Sequence, residues 1–72
     1  MAKPTFDELE NRFTYHPPKG DQVKTYEDVR SMAKNLAHYL CSVAPDSREL
    51  SLALTALDEL VFWTNAAVAR HG

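Results

Sequence analysis

The sequence predicts an all-α fold: a short N-terminal helix, then a long antiparallel helical hairpin, assembled as a homo-oligomer. Three observations lead there. The stretch from Ser47 to Arg70 runs 24 residues without proline or glycine, and as a helix it makes a rod of roughly 36 Å. Ahead of it, a second stretch repeats apolar residues at helical spacing and stops about four residues short, so the two helices must fold back on each other. The last helix carries two apolar stripes, which one partner helix cannot cover.

Taken in order, residues 1–24 hold the N-terminal helix and a loop. In PTFDELENR, at 4–12, Thr5 can cap the first amides with Glu8 three positions on, and Phe6, Leu9 and Phe13 recur at helical spacing. A helix this short persists only when docked on something. In FTYHPPKGDQ the residues Pro17, Pro18 and Gly20 exclude regular helix and push the residues before each proline to extended geometry. The result is an ordered loop carrying Tyr15, His16 and Lys19.

The second helix is expected over 25–42, capped by Thr25, with Tyr26, Val29, Ala33, Leu36, Leu40 and Val43 as its apolar stripe. Pro45 stops it. The third helix is expected over 46–71, capped by Asp46 with Glu49 at its third position. Its first stripe, Leu50, Leu54, Leu57 and Val61, pairs with the second helix. Its second stripe, Leu52, Ala56, Leu60, Trp63 and Ala67, needs another partner, and further copies of the chain are the simplest source.

Size and composition narrow the function. A chain of 72 residues is a single domain over 1–72, and at that size one core gives marginal stability. One cysteine, Cys41, excludes an internal disulfide, so oligomerisation is the expected staple. The first ten residues hold no apolar run typical of a secretory signal, and no stretch is expected to span a bilayer. A cytoplasmic protein without membrane association is the expectation. Eight Lys plus Arg against ten Asp plus Glu, a formal charge of −2, argues against binding duplex nucleic acid by phosphate neutralisation. A small anion held by a few local cations fits that charge.

No catalytic constellation emerges. His38 and Cys41 share a helix face, but two ligands do not make a metal site, and Cys41 reads as a buried structural thiol. No cofactor or metal is expected. Asp58 and Glu59 are adjacent on a helix and point about 100° apart, poor geometry for a general acid and base, so a solvated face is the better reading. What remains is a mixture of aromatic and cationic residues: Tyr15, His16 and Lys19 in the loop, then Lys24, Tyr26 and Arg30 around the start of the second helix. Aromatic faces stack on nucleobases while Lys and Arg pair with phosphates, so the mixture suits a nucleotide. The plainer reading makes Tyr26 a core residue and Tyr15 a staple that packs the loop. Near the C-terminus, Ala66, Ala67 and Ala69 allow close backbone approach, and Arg70 beyond them either meets the helix dipole or lines an anion site between copies.

The segments RFTYHPPKGDQ, YEDVR and SRELSLALTALDELVFWTNAAVAR together resemble the phage-encoded anti-CBASS cyclic-oligonucleotide sponge, the small helical-hairpin type whose hairpin also appears in a phage anti-Thoeris sponge. The resemblance extends from about Arg12 to His71, and RFTYHPPK and the Trp63-to-Arg70 ending are its most specific parts. It implies sequestration without catalysis: a homohexamer that holds the cyclic nucleotide messengers of bacterial antiviral immunity in the host cell cytoplasm. Cyclic dinucleotides such as cyclic GMP-AMP would bind through Tyr15, which stacks on a base, and Arg30, with Lys19 and Lys24 as neighbours. Cyclic trinucleotides would bind in a separate pocket through Arg70 and Ser31, beside Ala66 and Ala69. The family residue matching Ser31 is a threonine, so a methyl contact is missing.

Two other classes stay open. In one, the chain is a helical protein–protein interaction module whose second stripe binds a different protein and which has no nucleotide ligand. In the other it is an enzyme that degrades cyclic nucleotides, disfavoured because neither a metal cluster nor an acid and base pair lies at usable spacing.

Overall fold

The computed structural model describes residues 3–72; the first two residues of the 1–24 segment lie outside that range. Among the described residues there are three helices and no strand: α1 (Phe6–Phe13), α2 (Gln22–Val43) and α3 (Arg48–His71).

Helix α1 begins with the capping box that the sequence predicts. The Glu8 N–H donates to Thr5 Oγ1 and the Thr5 N–H donates to Glu8 Oε2, both at 3.1 Å, so two amides that would otherwise lack partners are satisfied reciprocally. Its apolar residues have no cover within the chain: Phe6 is 75% exposed and Phe13 78%. After α1 the backbone is extended at Thr14 and runs without helix to a turn at 19–22, closed by the Gln22 N–H donating to the Lys19 carbonyl at 2.8 Å. Gly20 has φ +47 there, a region that L side chains enter only at a cost.

Helix α2 starts three residues earlier than expected, with Asp21 at the cap position and no side-chain cap. The Thr25 hydroxyl, assigned above to the cap, donates instead to the Asp21 carbonyl at 3.2 Å, inside the first turns. A hydroxyl can serve either end of a turn, and sequence spacing alone does not distinguish the two. The packed face of α2 also shifts. Tyr26, Val29, Ala33, Ala37 and Leu40 are half-buried, whereas Leu36 and Val43, placed on the expected stripe, are exposed. Small Ala37 takes the inward position and lets the helices approach. Cys41 is exposed as well, which corrects its reading as a buried thiol.

A four-residue connection, 44–47, returns the chain. Ser47, not Asp46, caps α3: it is the last extended residue, and its Oγ accepts from the Leu50 N–H at 3.2 Å. All four residues of the first α3 stripe, Leu50, Leu54, Leu57 and Val61, are half-buried against α2, and the stripe continues through Thr64, Asn65 and Val68. All five residues of the second stripe are exposed, Leu60 by 55% and Trp63 by 68%. The hairpin thus spends one stripe and leaves the other open.

By length and composition α3 is apolar enough to cross a membrane, contrary to the expectation that no stretch approaches that threshold. Two features set it apart from a helix surrounded by lipid. Its first apolar stripe is half-buried within the hairpin, and Asp58 and Glu59 lie at its midpoint, where each carboxylate would cost a few kcal/mol in hydrocarbon. No described residue is fully buried.

Candidate functional site

The loop between α1 and α2 presents Tyr15, 75% exposed, after an extended Thr14. That corrects the reading of Tyr15 as a staple packed on the hairpin. Its neighbour His16 turns the other way and is half-buried, with Nε2 2.6 Å from the Asn11 carbonyl. A carbonyl only accepts, so Nε2 carries the proton in this contact. Lys19 follows two prolines, which supply no N–H. Its own N–H donates to Gln22 Oε1 at 2.9 Å, and its ammonium makes no ion pair among the described residues.

Lys24 is spoken for. Its Nζ lies 2.8 Å from Asp28 Oδ2, one helical turn away. The hydrogen bond that the ammonium donates to that carboxylate, and then the carboxylate's charge, hold Lys24 above its ordinary pKa. A phosphate ligand would have to compete with Asp28, so Lys24 is a weaker candidate than Lys19.

Arg30 is exposed on α2 and lines a groove of about 270 Å³ between α2 and α3, with Lys34, Asp58 and Phe62 among its walls. Neither cation is within ion-pair distance of Asp58. Tyr15 is not among the residues that line this groove. Lys34 and Phe62 were not singled out from the sequence. Lys34 stands four residues after Arg30 and so shares its face, a signal that was legible, whereas Phe62 lies off both α3 stripes and had no periodicity to mark it.

Arg70 is half-buried near the end of α3 and lines a shallow hollow of about 420 Å³ with Glu59, Phe62, Trp63 and Ala66. Its guanidinium also has an internal partner: Nη2 donates to the Arg12 carbonyl, at the end of α1, at 3.4 Å. Ala69 is half-buried one residue earlier and outside the hollow; Ser31 is exposed on α2 and lines neither cavity. Close to the same end of α3, Asn65 Oδ1 is shielded from solvent and has no hydrogen-bond partner among the described residues.

The Acb2/Tad1 hairpin domain matches residues 7–69, from the first turn of α1 to the last turn of α3. The chain belongs to that family. It is the family of anti-CBASS and anti-Thoeris sponges, and the activity it suggests for this chain is that of a phage anti-defence sponge. The Acb2/Tad1 match takes in the Tyr15 loop, both arms of the hairpin and the alanine-rich turn, stopping one residue before Arg70. No curated protein and no solved structure matches the chain.

Proposed function

We propose that the protein is a non-enzymatic sponge that binds cyclic dinucleotides such as cyclic GMP-AMP, and cyclic trinucleotides as a second ligand, without cleaving them. It works in the cytoplasm of the infected host cell as a homo-oligomer, with six copies as the family resemblance implies. The observation that carries this reading is Tyr15, an aromatic ring held outside the fold on a loop whose backbone is pinned on both sides. A ring that adds nothing to the packing of its own chain is available to stack on a base. Lys19 in the same loop offers an ammonium with no ion pair among the described residues, and Arg30 a guanidinium on the following helix.

Tyr15 is not among the residues that line the Arg30 groove, which fits a complete dinucleotide site that draws the two residues from different copies. The open second stripe of α3 is the surface on which those copies meet. For the trinucleotide, the Arg70 hollow beside Ala66 supplies a cation and the apolar wall of Trp63.

Isothermal titration of the assembled protein with a panel of cyclic dinucleotides tests the reading. Heat of binding is expected with at least one, and the ligand should be recovered chemically unchanged after the complex is heat-denatured. Absence of heat with every member would falsify it. Exposure of Leu52, Leu60 and Trp63 equally suits an interaction module for another protein. That alternative requires a monomer or dimer by light scattering and no nucleotide affinity.

A further inference from the structure

The loop between α1 and α2 is tied at both ends to one turn of α3. At its head, Arg70 Nη2 donates to the Arg12 carbonyl. At its tail stands Gln22, the first residue of α2, whose carboxamide makes two hydrogen bonds at once. Its Oε1 accepts from the Lys19 N–H at 2.9 Å, and its Nε2 donates to the Val68 carbonyl at 3.2 Å, 46 residues away in sequence. Pro17 and Pro18 have no N–H, so the Lys19 amide is the first backbone donor after His16. A first-turn helix residue ordinarily faces solvent, yet Gln22 is half-buried. Gly72 lies beside it: a Cβ there would meet the Val68 carbonyl oxygen first and would also stand 3.0 Å from Gln22 Nε2.

We infer that Gln22 is a positioning residue for the ligand loop: its carboxamide fixes where Lys19 and Tyr15 stand relative to the α3 turn that leads to Arg70. The inference rests on the reading of Tyr15 and Lys19 as ligand-binding residues. Gln22 touches no ligand in this account. It acts by holding the loop in one conformation before binding, which removes the ordering cost that a free loop would charge against affinity. Donor and acceptor are both required, because the acceptor holds the loop and the donor holds the helix end. A shorter or apolar side chain cannot bridge the two.

Two variants test it on the assembled protein. Gln22→Met keeps the length and removes both hydrogen bonds, whereas Gln22→Glu keeps the acceptor facing the Lys19 N–H. Cyclic dinucleotide affinity is measured by calorimetry, exchange of the Lys19 amide by NMR, and assembly by light scattering and thermal unfolding. Expected for Gln22→Met is an affinity loss of about tenfold, with faster Lys19 exchange, unchanged assembled mass and a fall of a few degrees in unfolding temperature, roughly that of losing the tie to Val68. Gln22→Glu is expected to restore Lys19 protection and part of the affinity. A Gln22→Met protein that binds as the wild type does overturns the inference. So does a loss shared equally by both variants with Lys19 protection intact. Wild-type protein that gives no heat overturns the sponge reading itself, and the ligand-loop role of Gln22 with it.

Discussion

Tyr15 and Arg70 differ in how much else depends on them. The Tyr15 side chain makes no hydrogen bond among the described residues and is 75% exposed, so Tyr15→Ala should remove base stacking and little else. Stacking on one base is worth roughly 1–3 kcal/mol, which predicts a drop of about 5- to 150-fold in dinucleotide affinity with the oligomer mass unchanged, and Tyr15→Phe should retain most of the affinity. Arg70 is not so cleanly separable. The family resemblance gives it a role in the trinucleotide pocket alone, but its bond to the Arg12 carbonyl also holds α1. Arg70→Ala should therefore weaken trinucleotide binding and also speed amide exchange along α1, and a variant with unaltered α1 exchange would show that the 3.4 Å contact restrains nothing. Lys24 behaves differently again. Its pKa is raised on folding, so the pair with Asp28 contributes below the unfolded value and is lost as pH climbs through the folded one, in alkaline solution. Between pH 6 and 9, roughly below that range, the stability difference between wild type and Lys24→Gln should stay flat in thermal unfolding.

At the scale of the helices, the ends and the inner faces were legible in the sequence and the ties between helices were not. Thr5 and Glu8 announce α1 by a three-residue spacing that has one geometric solution, and Leu50, Leu54, Leu57 and Val61 announce the hairpin face of α3 by period alone. Thr25 misled because its hydroxyl back-bonds within a helix already begun at Gln22. Leu36 misled because a stripe drawn through large residues passes over Ala37, the small one that close approach selects. Of the candidate site, Tyr15 could be read from its setting between a short helix and two prolines. Gln22 could not, since its two partners lie 3 and 46 residues away and only the closed hairpin brings them together. The caps give this scale its measurement: Ser47→Ala should cost about 1 kcal/mol of stability, read from denaturant unfolding, while Asp46→Ala should cost little.

The whole chain has too much surface for its mass. A folded monomer of 8.1 kDa is expected to expose roughly 4,500 Å², and this one exposes 6058 Å². Its radius of gyration is 15.7 Å, where a compact chain of this length would have about 11 Å. The excess, on the order of 1,500 Å², is roughly twice the 800 Å² or so that each partner gives to a standard interface, and the exposed large apolar residues include Leu52, Leu60 and Trp63 of the second α3 stripe, Phe6 and Phe13 of α1, and Met32 and Tyr39 of α2. Stability should then rise with protein concentration, and Leu60→Glu, which puts a charge in the centre of the open stripe, should lower both the assembled mass and the dinucleotide affinity. If Leu60→Glu stays assembled, the copies meet on some other face.

The tether of the Tyr15 loop to α3 also bears on the order in which the chain folds. The hairpin closes over a connection of four residues, but the two bonds that fix the loop join residues 46 and 58 apart. Short closures form first and long ones afterwards. The chain is therefore expected to zip outward from residues 44–47, and Arg12 and Gln22, which must meet the last turns of α3 to set the Tyr15 loop, are expected to dock last and open first.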